Sequence, residues 1–266
     1  MAAILQDSLR VAPWMEPKLA RLPGIQPVAP GDWLQVDEAY SAQLAEKARL
    51  LRGQAHEVCA VSDGARPAAR ELLARVLADL AARGEFLCAG DQVTRPDGVS
   101  VRLDAARPLH SLSQLVQEDF CILQKQGDEH ILTAALLCFP ASWTLSEKFL
   151  RPLTLIHGAV ESYDAGIAAR VQRLLDNVRP DQPLWRANAL AYDDPALYQP
   201  RRAIAPRQAP KRTGRYIRSE RQTLVRLPET EAVVFSIHTT QVVRAALTAA
   251  QADGLERHLC EAAADE

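Results

Sequence analysis

The amino-acid sequence predicts an α+β fold built around a largely antiparallel sheet, and three observations carry that expectation. Helical periodicity dominates the first third of the chain, whereas alternating or continuous apolar runs of strand length dominate the rest. Two pairs of such runs are joined by short turn sequences, Gly127-Asp128 and Pro228-Glu229-Thr230-Glu231, as hairpins require. The composition is that of an ordinary globular protein: 48% hydrophobic and 24% charged over 266 residues, with 12 Gly and 17 Pro and no internal repeat. Runs of helices, then strands, then a helix point to segregated α and β elements rather than a parallel α/β sheet. One domain over residues 1–266 is expected, with a Pro-rich N-terminal arm over 1–36 and a basic loop over 200–215.

The arm holds Pro13, Pro17, Pro23, Pro27 and Pro30 with Trp14, Leu22, Ile25 and Trp33 between them, a pattern of extended chain laid on a core rather than of a helix. Asp37 caps a helix carrying Tyr40, Leu44, Ala48 and Leu51 that stops at Gly53. Pro67 opens an amphipathic helix with Leu72, Leu73, Val76, Leu77 and Leu80 on one face, ended by Gly84. A glycine-bearing connection leads to a helical turn begun by Ser111 or Ser113. Strands follow at 120–125 and 131–139. Pro140 and Pro152 bracket a loop, and 153–157 resumes an apolar, strand-like run. A helix is expected over 165–177, strands at 184–191, 216–227 and 232–239, and a last helix holding Val242, Val243, Ala246 and Leu247, with a restart beyond Gly254.

The charge balance excludes several classes of partner. With 31 basic and 33 acidic residues the net charge is −2, so nothing draws the whole molecule to nucleic acid or to an anionic membrane. The basic residues are 26 Arg and 5 Lys, and nine of them lie within 201–226 against one acid, Glu220. That local excess of +8 lacks the interleaved aromatics of a nucleic-acid groove, and suits an acidic partner protein or solvent. The N-terminus does not read as a secretory signal, no apolar run is long enough to span a bilayer, and the five cysteines form no C-x-x-C pair. A cytoplasmic protein is expected.

Generic catalytic motifs are absent: there is no G-x-G, P-loop or G-x-S-x-G, and no histidine pair spaced for a helical metal site. His157 ends an apolar run and precedes Gly158, where a bulky planar ligand could approach; it reads either as a hydrogen-bonded strand-end histidine or as an axial haem ligand. In 215–227, alternation places Arg218, Glu220 and Gln222 on one face and Ser219, Arg221 and Thr223 on the other, either as cross-strand ion pairs or as a clamp for a carboxylate. Glu118 and Asp119 are adjacent and would face opposite sides of a strand, which argues against a carboxylate pair sharing a proton.

The ordered blocks LVQEDFCIL (115–123), LCFPASWTLSEKFLRPLTLIH (137–157), the Arg186/Asn188 region and SERQTLVRLPETEAVVFSIHT (219–239) resemble the haem-dependent oxidative N-demethylase family. The resemblance implies a PAS-like sheet with flanking helices that binds haem b. It also implies removal of a methyl group from a small alkylamine with dioxygen, releasing formaldehyde, with electrons from a separate reductase component. Carried over by position, His157 resembles the axial ligand to the haem iron. Arg221 resembles the Arg of the ERQTL block and would face a propionate or an active-site carboxylate. Tyr163, Glu161 and Glu118 are candidates to meet a cationic amine, with Tyr163 and Glu118 taken as the catalytic pair. The sequence departs from the family at Phe149, where Gly is common, at Ala159-Val160-Glu161, where the family usually has Pro-Val-Pro, at Ala189 in place of Trp, and at His238 in place of Arg. A non-catalytic haem-binding PAS-type sensor or a degenerate relative is the alternative, and a module gripping an acidic partner through the basic loop is a second.

Overall fold

The two segments whose alternation is clearest form the longest strands of a seven-stranded antiparallel sheet. The structure, a computed structural model, describes residues 3–20, 24–157, 165–202, 204 and 214–264. In chain order the strands are β1 (Gln26–Pro27), β2 (Cys59–Val61), β3 (Leu87–Ala89), β4 (Gln92–Thr94), β5 (Ser100–Arg102), β6 (Asp119–Gln126), β7 (Glu129–Leu136), β8 (Leu184–Tyr192), β9 (Tyr216–Arg226) and β10 (Val233–Val243). The main sheet runs β1-β8-β9-β10-β6-β7-β2, and β3-β4-β5 form a separate small sheet. β9 and β10 pair from Val233↔Arg226 to Val243↔Tyr216 without a register break. Gly127, at φ +62°, closes the β6–β7 hairpin, a backbone region that glycine enters without Cβ strain.

The helices are α1 (Pro17–Ala20), α2 (Tyr40–Val58), α3 (Arg66–Ala81), α4 (Pro108–Ser113), α5 (Leu145–Lys148), α6 (Leu153–His157), α7 (Ala165–Asn177) and α8 (Ala249–Ala264). Period-two alternation gives the sheet two covered faces. On one, Leu72, Val76 and Leu80 of α3, with Leu44 and Leu50 of α2 and Leu109 and Leu112 of α4, pack on Phe120, Ile122, Val225 and Val234. On the other, Leu145, Leu153 and Leu175 of α5, α6 and α7 pack on Cys121, Leu123, Leu132, Ala135, Val233 and Ile237. These are called the α3 face and the α6 face below. A third cluster, Leu9, Ala12, Ile217, Val242 and Leu255, ties the N-terminal segment and α8 to the far ends of β9 and β10.

The α+β class and the antiparallel sheet are as expected, and several local expectations need correction. The run 153–157 is a helix, so His157 ends a helical turn rather than a strand: the preceding Pro152 lacks a donor but accepts from Leu155 and Ile156 (3.0 Å each), which starts the turn. Val242 and Val243 extend β10, because Ile217 and Tyr216 opposite them complete the ladder, and the last helix begins only at Ala249. The proline-rich arm includes a 3₁₀ turn (Pro13–Met15), α1 and β1. α2 runs past Gly53 to Val58 with a kink at Gln54. The helical turn before β6 begins at Pro108 rather than at a serine. Most of the predicted basic loop, 203 and 205–213, lies outside the described residues.

Candidate functional site

The α6 face of β8 and β9 combines an apolar floor with polar groups that no described residue satisfies. Direct pairing puts Arg186 opposite Gln222, Asn188 opposite Glu220 and Leu184 opposite Leu224. Gln222 and Leu224 in turn lie opposite Ile237 and Phe235. Leu224, Phe235, Trp143, Phe149 and Ile156 are half-buried apolar groups packed on this side. Arg218, fully buried, is held by Leu197 O (2.9 Å), Phe139 O and Glu220 Oε1 (3.0 Å); Gln222 Nε2 donates to the other oxygen of Glu220 (3.2 Å). The face expected for Arg218, Glu220 and Gln222 is therefore real, and its charges cancel internally.

Arg186 is different. Among the described residues it makes no hydrogen bond or ion pair, and its Nε is shielded from solvent. Burial lowers its pKa below the usual arginine value. Asn188 Oδ1 beside it is likewise buried and unpartnered, as are Arg218 Nε and Gln241 Oε1 on the same face. Buried polar atoms are almost always hydrogen-bonded, so such a concentration marks a place where something else supplies the partners. A further half-buried cation of this face, Lys148, lies 4.4 Å from the Trp143 ring centroid and has its pKa lowered by burial.

The opposite face carries a closed charge cluster. His238 sits between two buried carboxylates, Nε2 3.0 Å from Asp37 Oδ2 and Nδ1 3.2 Å from Glu118 Oε1. Gln6 (2.8 Å) and Gln117 (2.7 Å) donate to Asp37, and the Gln35 backbone N–H donates to Glu118 (2.6 Å). Burial alone would lower the His238 pKa, but hydrogen bonds and charge from Asp37 and Glu118 raise it to about 9, so the imidazole is protonated. Burial alone would raise that of Asp37, but His238 with Gln117 and Gln6 brings it down to about 2. Arg221 pairs with Asp32 (2.9 Å) and lies 4.8 Å from the Trp185 ring centroid. A crevice of about 20 Å³, room for one water, opens between Ser219, Arg221, His238 and Thr240.

These placements separate the residues singled out in the sequence. Glu118 and Arg221 share the α3 face, and each has a charged partner within the chain, His238 for Glu118 and Asp32 for Arg221. Asp119 departs from Glu118 as expected, pairing with the fully buried Lys47 (3.0 Å). His157 closes α6 on the other face, while its side chain lies outside the described residues, as do Glu161 and Tyr163. Sequence reasoning missed the Asp37–His238 pair, whose members are 201 residues apart, and gave Arg186 no role. The signal for Arg186 was its alternation with Asn188 in a strand of otherwise apolar character.

Over residues 24–264 the sequence matches the family described as haem-dependent oxidative N-demethylase, alpha subunit-like. The chain belongs to this family. Membership makes it a haem-dependent N-demethylase-like protein, and the alpha-subunit description implies a partner subunit. Among the described residues no helix is long and apolar enough to cross a membrane. A haem needs an apolar floor for its macrocycle, an axial side chain and polar groups for two carboxylate arms. The α6 face fits on two counts, apolar Leu224, Phe235, Phe149 and Ile156 together with Arg186 and Asn188, whose Nε and Oδ1 have no partner among the described residues.

Proposed function

We propose that the chain binds haem b on the α6 face and removes a methyl group from a small alkylamine, using dioxygen and electrons from a separate reductase component. The observation that carries this reading is the set of buried polar atoms without a partner among the described residues on the sheet face that α6, the helix ending at His157, packs against. In balance, one oxygen atom enters the methyl group and the other leaves as water, with two electrons and two protons consumed; the resulting carbinolamine splits into the demethylated amine and formaldehyde. Haem supplies the oxygen activation when bound.

The protein's own groups hold and exclude. His157 would hold the haem iron. Leu224, Phe235, Phe149 and Ile156 keep water from the macrocycle. Tyr163 and Glu161 follow His157 in sequence and are assigned to the cationic amine, by ring face or carboxylate. Glu118 acts through His238, and Arg221 through Asp32, in positioning the N-terminal segment against the sheet. Cys59, Cys88, Cys121 and Cys138 are free thiols, which fits a reducing, cytoplasmic setting.

An absorption spectrum of protein reconstituted with haem, before and after dithionite, tests the reading. A Soret band that shifts on reduction is expected, and His157→Ala should abolish or displace it. Formaldehyde is then measured across a panel of methylated amines with a working reductase. No Soret band with wild-type protein sinks the proposal. A haem complex that releases no formaldehyde from any amine selects a sensor-type protein instead, which the departures at 159–161 would suit.

A further inference from the structure

The geometry points to Arg186, with Asn188 two residues on, as the anchor for a carboxylate arm of the tetrapyrrole. The inference rests on the haem-binding reading above and adds to it the residues that orient the ring. Four cationic side chains of β8 and β9 were available for that role, and the structure separates them; Arg226, at the end of β9, donates to the main-chain carbonyls of Val178, Glu231 and Leu175. Arg221 is neutralised by Asp32, stacked near Trp185 and placed on the α3 face. Arg218 is fully buried with two main-chain carbonyls and Glu220 about its guanidinium. Arg186 has no counter-charge among the described residues, a solvent-shielded and unpartnered Nε, and a place on the α6 face in line with Gln222 and Ile237.

A guanidinium withdrawn from water without an anion is unfavourable until a ligand brings one, and its planar fork matches a carboxylate with two parallel hydrogen bonds. The side chain of Asn188, on the same face about 7 Å along the strand, offers an amide beside it. The apolar groups of the face, Leu224 and Phe235 directly across the neighbouring strands, would lie under the ring rather than under its charged arms. The carboxylates of haem would therefore meet the cation of this strand pair that has no partner among the described residues.

Haem and haem dimethyl ester, whose propionates are masked, are titrated into apo wild-type protein and Arg186→Gln, reading the Soret band for affinity and circular dichroism and thermal midpoint for folding. Wild type should bind haem at least tenfold more tightly than the diester. Arg186→Gln should lose that preference by weakening for haem alone, and Arg186→Lys should recover part of it. Equal binding of haem and diester by wild type overturns the inference without recourse to any variant. So does a variant that keeps the wild-type preference, or one that weakens equally for both ligands. Failure of the underlying reading is distinct, because wild type would then bind neither ligand.

Discussion

His238 shows how much one side chain can be asked to do when two carboxylates close on it. Asp37 and Glu118 approach it from the N-terminal segment and from the residue before β6, so the three groups join pieces of chain that are far apart in sequence. Removing the middle charge leaves two buried carboxylates facing each other; His238→Gln should cost about 3–5 kcal/mol in urea unfolding at pH 7. The pH dependence follows from the shifts. The folded pKa of His238, about 9, lies above its ordinary 6.5, so its contribution is complete below pH 6.5 and is lost as pH rises through 9. Asp37, at about 2 instead of 3.8, contributes above pH 3.8 and loses that contribution as pH falls through 2. The difference in unfolding free energy between wild type and His238→Gln should therefore narrow between pH 7 and pH 10, and a pH-independent difference would remove the imidazolium from the account. None of this was legible beforehand: Asp37 read only as a helix cap and His238 only as a departure from the family, because the pairing depends on how the segment before α2 packs on β10, joining positions 201 residues apart.

Among the elements, α8 shows why a glycine is a poor guide to where a helix stops. Gly254 invited a break, yet the helix runs through it from Ala249 to Ala264. The reason lies on its neighbour: a Cβ at 254 would stand 2.4 Å from Met15 Sδ and 2.9 Å from Trp14 Cδ1, so the missing side chain makes room for the 3₁₀ turn of Pro13–Met15. Trp14 completes the joint by donating from Nε1 to Gln251 O (2.9 Å). Gly254→Val should lower stability by about 1–3 kcal/mol, as overpacking does, despite the better helix propensity of the new residue. Hydrogen exchange should accelerate selectively in residues 9–20; unchanged protection there would mean that the joint is not tight. Other elements were legible because their periodicity is local. α3, the β6–β7 hairpin and the β9 alternation need only neighbours a few residues away. The 153–157 run was not, since five apolar or polar residues fit a strand or a turn of helix equally, and Pro152 and the α6 face decided it.

Over the whole molecule, the sheet divides the chemistry into a closed side, whose charged groups pair with one another although Glu118 Oε2 lacks a hydrogen bond among the described residues, and a side where Arg186 has no counter-charge among them. Residues near the N-terminus belong to the closed side: Gln6 and Gln241 exchange hydrogen bonds (2.8 and 2.7 Å), which extends the ladder at the β10 end and seals the His238 cluster. The same layering sets thiol reactivity. Cys121 and Cys138 lie within the core, and burial pushes the first up to about 12 and the second well above the usual thiol range. Cys88, on the exposed β3, should react with iodoacetamide within minutes, whereas Cys121 and Cys138 should react only at the rate of unfolding, as read by peptide mass spectrometry; rapid labelling of Cys121 in folded protein would contradict the packing. Composition, periodicity and the ordered motif blocks by themselves determined the α+β class, the family and the position of His157 in the chain, because those depend on residue identity and short-range spacing. Only the tertiary structure decided that Arg221 and Glu118 are spoken for on one face, and that Arg186 stands without a partner among the described residues on the other. Which charges cancel depends on which loops and strands the fold brings together, Asp32 and Asp37 from the segment before α2 against β9 and β10, and that is set by packing across the whole chain.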